Sequence, residues 1–342
     1  MIVAFDAQLT VGTATGAGVY QRDLAAALST QGVDVRVLRA PWLDPWRFDR
    51  RVLWDQVLLP LAVARSGATL LHATSGTVPL LRGIPTVVTV HDLAWLRVQS
   101  HARGYARAYF GTLQQRAYRS AAAIVCDSAF SAAEYRALVE PDRAVEVIFP
   151  GVDDRFARIA RAPGEAPFAL VVGTVEARKN LLAVVEALPQ LPSLRVVSIG
   201  PFTPYAERVR ARAGELGVAN RLDLRGYVAG TERDDLYARA ALALAPSRYE
   251  GFGYALAEAM CAGLPAVAAR ASALPELAGT AVPLVDPDDT ADWVAAIRNV
   301  LADRASAEAR ASAVRAESIS RFAWATAAEQ MRAVYARVAD GQ

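Results

Sequence analysis

Residues 242–267 read LALAPSRYEGFGYALAEAMCAGLPAV. The run 242–245 is apolar and short enough for a buried strand, and Pro246, Ser247, Arg248 and Tyr249 form a turn after it. Gly251 and Gly253 then open a helix whose unpaired first-turn N–H groups point at whatever Glu250 faces. Gly263 stops that helix, and Pro265 opens the next strand. Seven residues separate Glu250 from Glu258, which sets the two carboxylates about 12 Å apart along a helix axis. That is too far for a coupled acid–base pair on one bond. It suits two ends of an extended ligand, with one hydroxyl-rich group at each. Leu256, Ala257 and Ala259 beside Glu258 weigh against a solvated helix face.

The strand–helix alternation continues in both directions. Strands fit 2–6, 33–38, 69–72, 86–91 and 123–127, then 168–172, 194–199, 221–224, 242–245 and 265–269. Helical patterns cover 19–30 and 105–120, among others. Near-continuous apolar strands between helices imply parallel sheets covered on both faces. A length of 342 residues suggests two domains. RIARAPGEAP at 158–167 has two prolines and no apolar period, so it is the linker candidate. The expected architecture is α/β, with two Rossmann-like domains, 1–157 and 168–317, whose parallel sheets face each other across a cleft. The stretch 318–342 is a C-terminal helix free to cross back to the first domain.

Composition narrows the function classes. Hydrophobic residues make up 54% of the chain, which excludes general disorder. The net charge is +2, and no dense basic stripe marks a nucleic-acid binder. Two cysteines imply no disulfide framework, and three histidines offer no metal-ligand cluster. MIVAFDAQL lacks the layout of a signal peptide, and no apolar run reaches the roughly 20 residues of a membrane span. The expectation is a soluble, cytoplasmic chain with no metal and no cofactor.

Of 37 basic residues, 36 are arginine and one is Lys179. Arginine replaces lysine wherever either serves, so the survivor marks a place for a compact ammonium. Lys179 lies in Gly173-Thr174-Val175-Glu176-Ala177-Arg178-Lys179-Asn180, directly after the strand 168–172. Adjacent Arg178 and Lys179 can meet a diphosphate, one as a fork and one as a point charge. The spacing is not that of a nucleotide-hydrolysing P-loop. Gly16-Ala17-Gly18 sits between the first strand and its helix, where glycines admit a close ligand. It is not GxGxxG, and no acid ends the second strand, which counts against a nicotinamide enzyme. His91 and Asp92 end the fourth strand, a position that suits either a structural or a cleft histidine.

Together these motifs resemble a retaining GT-B glycosyltransferase of family 4. The resemblance runs through TGAGVYQRDL at 15–24, the HD pair at 91–92, DSAFSAAE at 127–134 and FPGVD at 149–153. It continues through VGTVEARKN at 172–180, LRGYV at 224–228 and EGFGYALAEAMCAGLPAV at 250–267. The RKN form is similar to a subset rich in mannosyltransferases of bacterial polysaccharide synthesis. The resemblance implies an acceptor domain first and a nucleotide-sugar donor domain second. It implies that Arg178 and Lys179 bind the donor diphosphate, helped by Gly173, Thr174 and the amides of Gly251, Phe252, Gly253 and Tyr254. It assigns Glu250 to the hydroxyls of the transferred sugar, Glu258 to the ribose, and Tyr227 and Val228 to the base. Gly16 and Gly18 would lie against the donor phosphate and sugar, and His91 near the transferred sugar. Many relatives carry arginine where this chain has Thr174, and Arg178 is the candidate to replace it.

The implied reaction is metal-independent transfer of a hexose, first mannose from GDP-mannose, to a glycan or lipid-linked glycan. Retention follows from front-face attack, with the departing phosphate taking the acceptor proton. The alternatives are a UDP- or dTDP-sugar transferase and a non-catalytic nucleotide-sugar binder. PWLDPWRFDRRVLW at 41–54 interleaves Trp42, Trp46 and Trp54 with Arg47, Arg50 and Arg51. It reads either as peripheral contact with the inner face of a membrane or as tryptophans packed on the core.

Overall fold

The computed structural model describes residues 1–12, 16–97 and 109–341. Residues 13–15 and 98–108, which hold the first residue of TGAGVYQRDL and the start of the helical pattern 105–120, lie outside the described residues. The chain divides into two units, Met1–Gly151 with Ala323–Gln342, and Val152–Phe322.

The first unit holds six strands: β1 (Ile2–Asp6), β2 (Asp34–Leu38), β3 (Leu70–Ala73), β4 (Thr86–Val90), β5 (Ala123–Cys126) and β6 (Val145–Val147). All pair in parallel in the order β2-β1-β3-β4-β5-β6. β3 and β4 are buried along their whole length, as strands covered on both faces must be. Helices Gly16–Thr30 and Trp324–Ala339 cover one face, packing Tyr20, Leu24, Leu28, Met331 and Tyr335 onto Val3 and Phe5. A polar chain crosses this apolar layer. Tyr335 Oη meets His72 Nδ1 at 2.6 Å, His72 Nε2 meets Thr89 Oγ1 at 2.8 Å, and Thr89 Oγ1 meets Tyr20 Oη at 3.0 Å. Burial drives the His72 pKa down to about 3, so the ring stays neutral inside the core.

The last helix docks where Gly151 leaves room for it. A Cβ at residue 151 would come within 2.3 Å of the Trp324 ring and 2.6 Å of its backbone nitrogen. Only glycine permits that approach.

The second unit repeats the architecture with β7 (Phe168–Val172), β8 (Arg195–Ile199), β9 (Leu222–Gly226), β10 (Leu242–Ala245), β11 (Ala266–Ala269) and β12 (Leu284–Val285). They too are parallel, in the order β12-β11-β10-β7-β8-β9. That order reverses between β7 and β10, the topological switch point of a doubly wound sheet. β6 and β12 are missing from the strand pattern of the sequence, because three and two residues at a sheet edge carry no readable period.

The segment 158–167 is not a linker between the units. It is docked inside the second one: Ala162 N donates to Ala238 O at 2.9 Å and Arg161 Nη2 to Ala240 O at 2.7 Å. Arg161 also pairs with Glu308 at 2.5 Å on helix Arg304–Arg321. Prolines there shape a surface strap, which composition alone cannot tell from a linker.

Replacing Gly151 by alanine is expected to push helix Trp324–Ala339 off its seat, at a cost of about 1–3 kcal/mol for overpacking. Denaturant unfolding followed by tryptophan fluorescence reads this as a lower midpoint. An unchanged midpoint would contradict the docking of Trp324.

Candidate functional site

Beyond the carboxyl ends of β7 and β10 the connections part, and a crevice opens between them. Val172, Gly173 and Thr174 line it from β7, and Ala245, Pro246 and Ser247 from β10. Lys179, Glu250 and Gly253 complete its polar wall. Lys179 Nζ donates to Glu250 Oε1 at 2.5 Å, and Ser247 Oγ donates to the same oxygen at 2.7 Å. Arg178 Nη1 reaches Glu250 Oε2 at 3.4 Å and the Tyr249 carbonyl at 3.1 Å, while its Nε faces Glu176 at 2.8 Å. Burial opposes ionisation of Glu250, but the ammonium of Lys179 and the guanidinium of Arg178 outweigh it. The net effect holds the carboxyl below its ordinary range.

Local backbone chemistry explains the placement. Ala177–Lys179 form one 3-10 turn, ended by Asn180 at φ 55°. Asparagine tolerates this left-handed geometry, and its Nδ2 is tied to Pro287 O at 2.8 Å. The turn therefore delivers Arg178 and Lys179 from a fixed frame. Gly253 is the N-cap of helix Tyr254–Ala262 at φ 110°, where a Cβ would come within 2.8 Å of Leu274.

The helix thus starts later than the spacing suggests. Gly251 and Phe252 precede it, so they are not first-turn residues. Glu258 lies one turn in, not two, and the helical-rise estimate of its distance from Glu250 does not apply. The Phe252 side chain is buried, with its ring edge-on to Tyr254 and Phe322, so it serves the core.

Glu258 does not line the crevice. It is nearly buried, and accepts from Arg233 Nη2 at 2.6 Å and Tyr237 Oη at 2.5 Å. Burial first, then the Glu258 charge, raises the Tyr237 hydroxyl well above its usual pKa, so it remains a donor. Arg233 also stacks over Phe156 at 5.2 Å. The sequence points to Glu258 but not to Arg233 or Tyr237, because partners one helix away leave no local signature. Tyr227 is exposed and Val228 buried on the loop after β9. Neither lines the crevice.

Gly16, Gly18 and His91 belong to the first unit. Gly16 opens helix Gly16–Thr30, and Gly18 is buried in its first turn. His91 follows β4, with Nδ1 at 2.6 Å from Asp127 Oδ2 and Nε2 at 2.9 Å from the Thr74 carbonyl. A carboxylate and a carbonyl can only accept, so the two contacts favour a proton on each ring nitrogen, the imidazolium form. Burial favours the neutral form, yet Asp127 overcomes it and raises the His91 pKa. Asp127, inside the DSAFSAAE motif, is a site neighbour that single-residue reading misses.

A raised folded pKa makes the His91 charge stabilising below its free value of about 6.5, and that stabilisation fades as pH rises through the folded value. NMR titration of the His91 imidazole should give a midpoint above the free value. Asp127→Asn should lower that midpoint, and an unshifted one would contradict the pairing.

Two family models match the chain in tandem. Glycosyltransferase Family 4 covers residues 14–156, and Glycosyl transferases group 1 covers 152–317. The D-inositol 3-phosphate glycosyltransferase of Mycolicibacterium smegmatis is 29% identical over 272 residues, 74% of this chain. This chain spans 62% of that relative's length. The structure of a sucrose-phosphate synthase from Thermosynechococcus elongatus matches with a TM-score of 0.80 at 22% identity, covering 99% of both chains. Anabaena HepE, solved in complex with UDP-glucose, matches with a TM-score of 0.75 at 19% identity over 98% of this chain and 99% of its own. The α/β fold is GT-B, and the chain belongs to the group 1, family 4 glycosyltransferases.

Proposed function

We propose that this chain transfers a hexose from a nucleotide sugar to a glycan or lipid-linked glycan acceptor, with retention and without a metal ion. The observation that carries the reading is the crevice at the β7/β10 switch point, where Lys179 and Glu250 face each other at 2.5 Å. A departing nucleoside diphosphate gains negative charge, and Lys179 and Arg178 are the cations that meet it in this reading. Glu250, held ionised, accepts hydrogen bonds from sugar hydroxyls. Glu258 takes the ribose hydroxyls, with Arg233 and Tyr237 setting its orientation, and Tyr227 and Val228 border the base.

Glu250 is the only carboxylate among the crevice-lining residues, and it is bound to a lysine. In this reading the acceptor oxygen bonds to the anomeric carbon on the face from which the phosphate leaves. The carbon–phosphate-oxygen bond breaks, and the acceptor proton passes to the departing phosphate. His91, tied to Asp127 and to the Thr74 carbonyl, is read as a neighbour of the transferred sugar. GDP-mannose is the first donor, on the likeness of the RKN turn to mannosyltransferases. A UDP-sugar is the second, favoured by HepE, which was solved with UDP-glucose.

Two substitutions separate the roles. Glu250→Ala frees Lys179 for phosphate, so nucleoside diphosphate affinity should hold or rise while transfer falls about 10²–10³-fold. Lys179→Ala should weaken diphosphate affinity by roughly tenfold to a hundredfold, as loss of a charged hydrogen bond predicts. Calorimetry and turnover measure both; unchanged transfer in Glu250→Ala would overturn the assignment.

Calorimetric titration with GDP, UDP, dTDP and ADP should show one preferred base, and the matching sugar nucleotide should then be turned over in EDTA at an undiminished rate. Binding of none of them would favour a non-catalytic chain. Loss of turnover on chelation would end the metal-free mechanism.

A further inference from the structure

We infer that the outer face of the helix at 48–66 in the first unit docks on an anionic lipid surface. Three consecutive segments, Phe48–Leu53, Trp54–Leu58 and Leu59–Ser66, form this helix. Its inner side presents Trp54 and Leu59 to Ala4, Leu43 and Leu71. Trp54 Nε1 also donates to Asp6 Oδ1 at 2.9 Å, so this tryptophan belongs to the core.

The outer side is apolar as well. Leu53, Val57 and Leu61 follow at spacings of four and are 40%, 46% and 47% exposed. That spacing stacks them in one stripe, where a water-facing helix would carry charges. Leu81, 82% exposed, stands on a loop tied to the same helix. There Leu80 N donates to Gln56 Oε1 at 3.0 Å, and Gln56 Nε2 donates to Val78 O at 3.1 Å. Trp42 and Trp46, on the turn that leads into the helix, are 71% and 55% exposed.

Charge selects the occupant. Residues 34–82 hold seven arginines against four aspartates, and residues 1–150 hold fifteen against twelve acids. The whole positive excess of those 150 residues therefore lies in this stretch. One pair, Arg51 with Asp55, is buried and cancels internally. Arg50 lies three residues before Leu53 and Arg65 four after Leu61, at either end of the stripe. Among the described residues neither has an ion-pair partner. A second copy of this face would set its arginines against the same arginines. Lipid headgroups of negative charge meet the arginines, while the stripe and the indoles enter the interfacial layer.

Co-sedimentation of the full chain tests this with two vesicle types, phosphatidylcholine alone and phosphatidylcholine mixed with phosphatidylglycerol. The chain should pellet with the mixed vesicles only, and high salt should release it. Val57→Gln with Leu61→Gln, and separately Arg50→Gln with Arg65→Gln, should each weaken vesicle binding by roughly tenfold. Both variants should keep the nucleotide affinity of the parent, which reports that they fold. Failure of the parent to pellet with either vesicle, or equal binding to both, would overturn the inference. Parent-like vesicle binding by both variants would do the same. So would a concentration-dependent dimer that the Val57 and Leu61 changes dissolve, since a second copy would then cover the face.

Discussion

Two neighbouring parallel strands whose connections leave in opposite directions cannot have the gap beyond them covered by their own loops. In the second unit that gap lies between β7 and β10, and the connections leaving those two strands supply both polar groups that define it. Lys179 is carried on the turn after β7, and Glu250 on the turn after β10. Each is half of a partly buried ion pair, and removal of either partner strands a charge in a poor solvent. The pair thus makes each partner the other's internal counter-ion. Under the proposed transfer, a diphosphate would offer Lys179 a second anion and sugar hydroxyls would offer Glu250 an alternative to the ammonium, so donor binding would rearrange this contact.

The first unit shows the same device at its own strand ends. Its order reverses between β1 and β3, and Asp6 at the end of β1 accepts from Trp54, from Gln8 N at 3.2 Å, and from Ser75. One strand further, Asp127 after β5 pairs with His91 after β4 and raises its pKa. Each unit therefore keeps a carboxylate tied to a basic group at the carboxyl edge of its sheet. The carboxylate favours the protonated histidine in one and is itself kept ionised by the lysine in the other.

What the chain displays locally, its sequence tells well. The apolar runs 2–6, 168–172 and 242–245 coincide with β1, β7 and β10 because each is buried from end to end or nearly so. The glycines around Glu250 mark a special backbone, but not its course. The φ of 110° at Gly253 starts the helix three residues later than periodicity suggests. Pairings between elements are invisible in the sequence: Arg233 with Glu258, Asp127 with His91 and Arg161 with Glu308 each join side chains brought together only by the fold. The tryptophans of 41–54 show the same limit. Trp42, Trp46 and Trp54 share one composition, yet Asp6 and Leu59 draw Trp54 inward and leave the other two outside.

The near-absence of lysine then acquires a structural meaning. Much of the arginine in the second unit binds backbone carbonyls at chain ends and turns. Arg221 reaches the carbonyls of Leu188 and Leu191, and Arg315 those of Cys261, Ala157 and Ile159. Arg321 holds Glu276 and Leu277, and Arg161 holds Ala240 with Glu308. A planar fork with five donors on three nitrogens reaches acceptors too far apart for the three donors of one ammonium nitrogen. Such positions reward arginine for rigidity. Lys179 stands on a turn fixed by Asn180 and beside a carboxylate that, under the proposed transfer, it must be able to leave, so rigidity there would be a fault. A compact charge on a flexible four-carbon stem can swing from Glu250 to a phosphate oxygen without moving the turn. The guanidinium next to it, engaged by Glu176 and the Tyr249 carbonyl, is held in place, so in the same proposal it would receive that phosphate without a search.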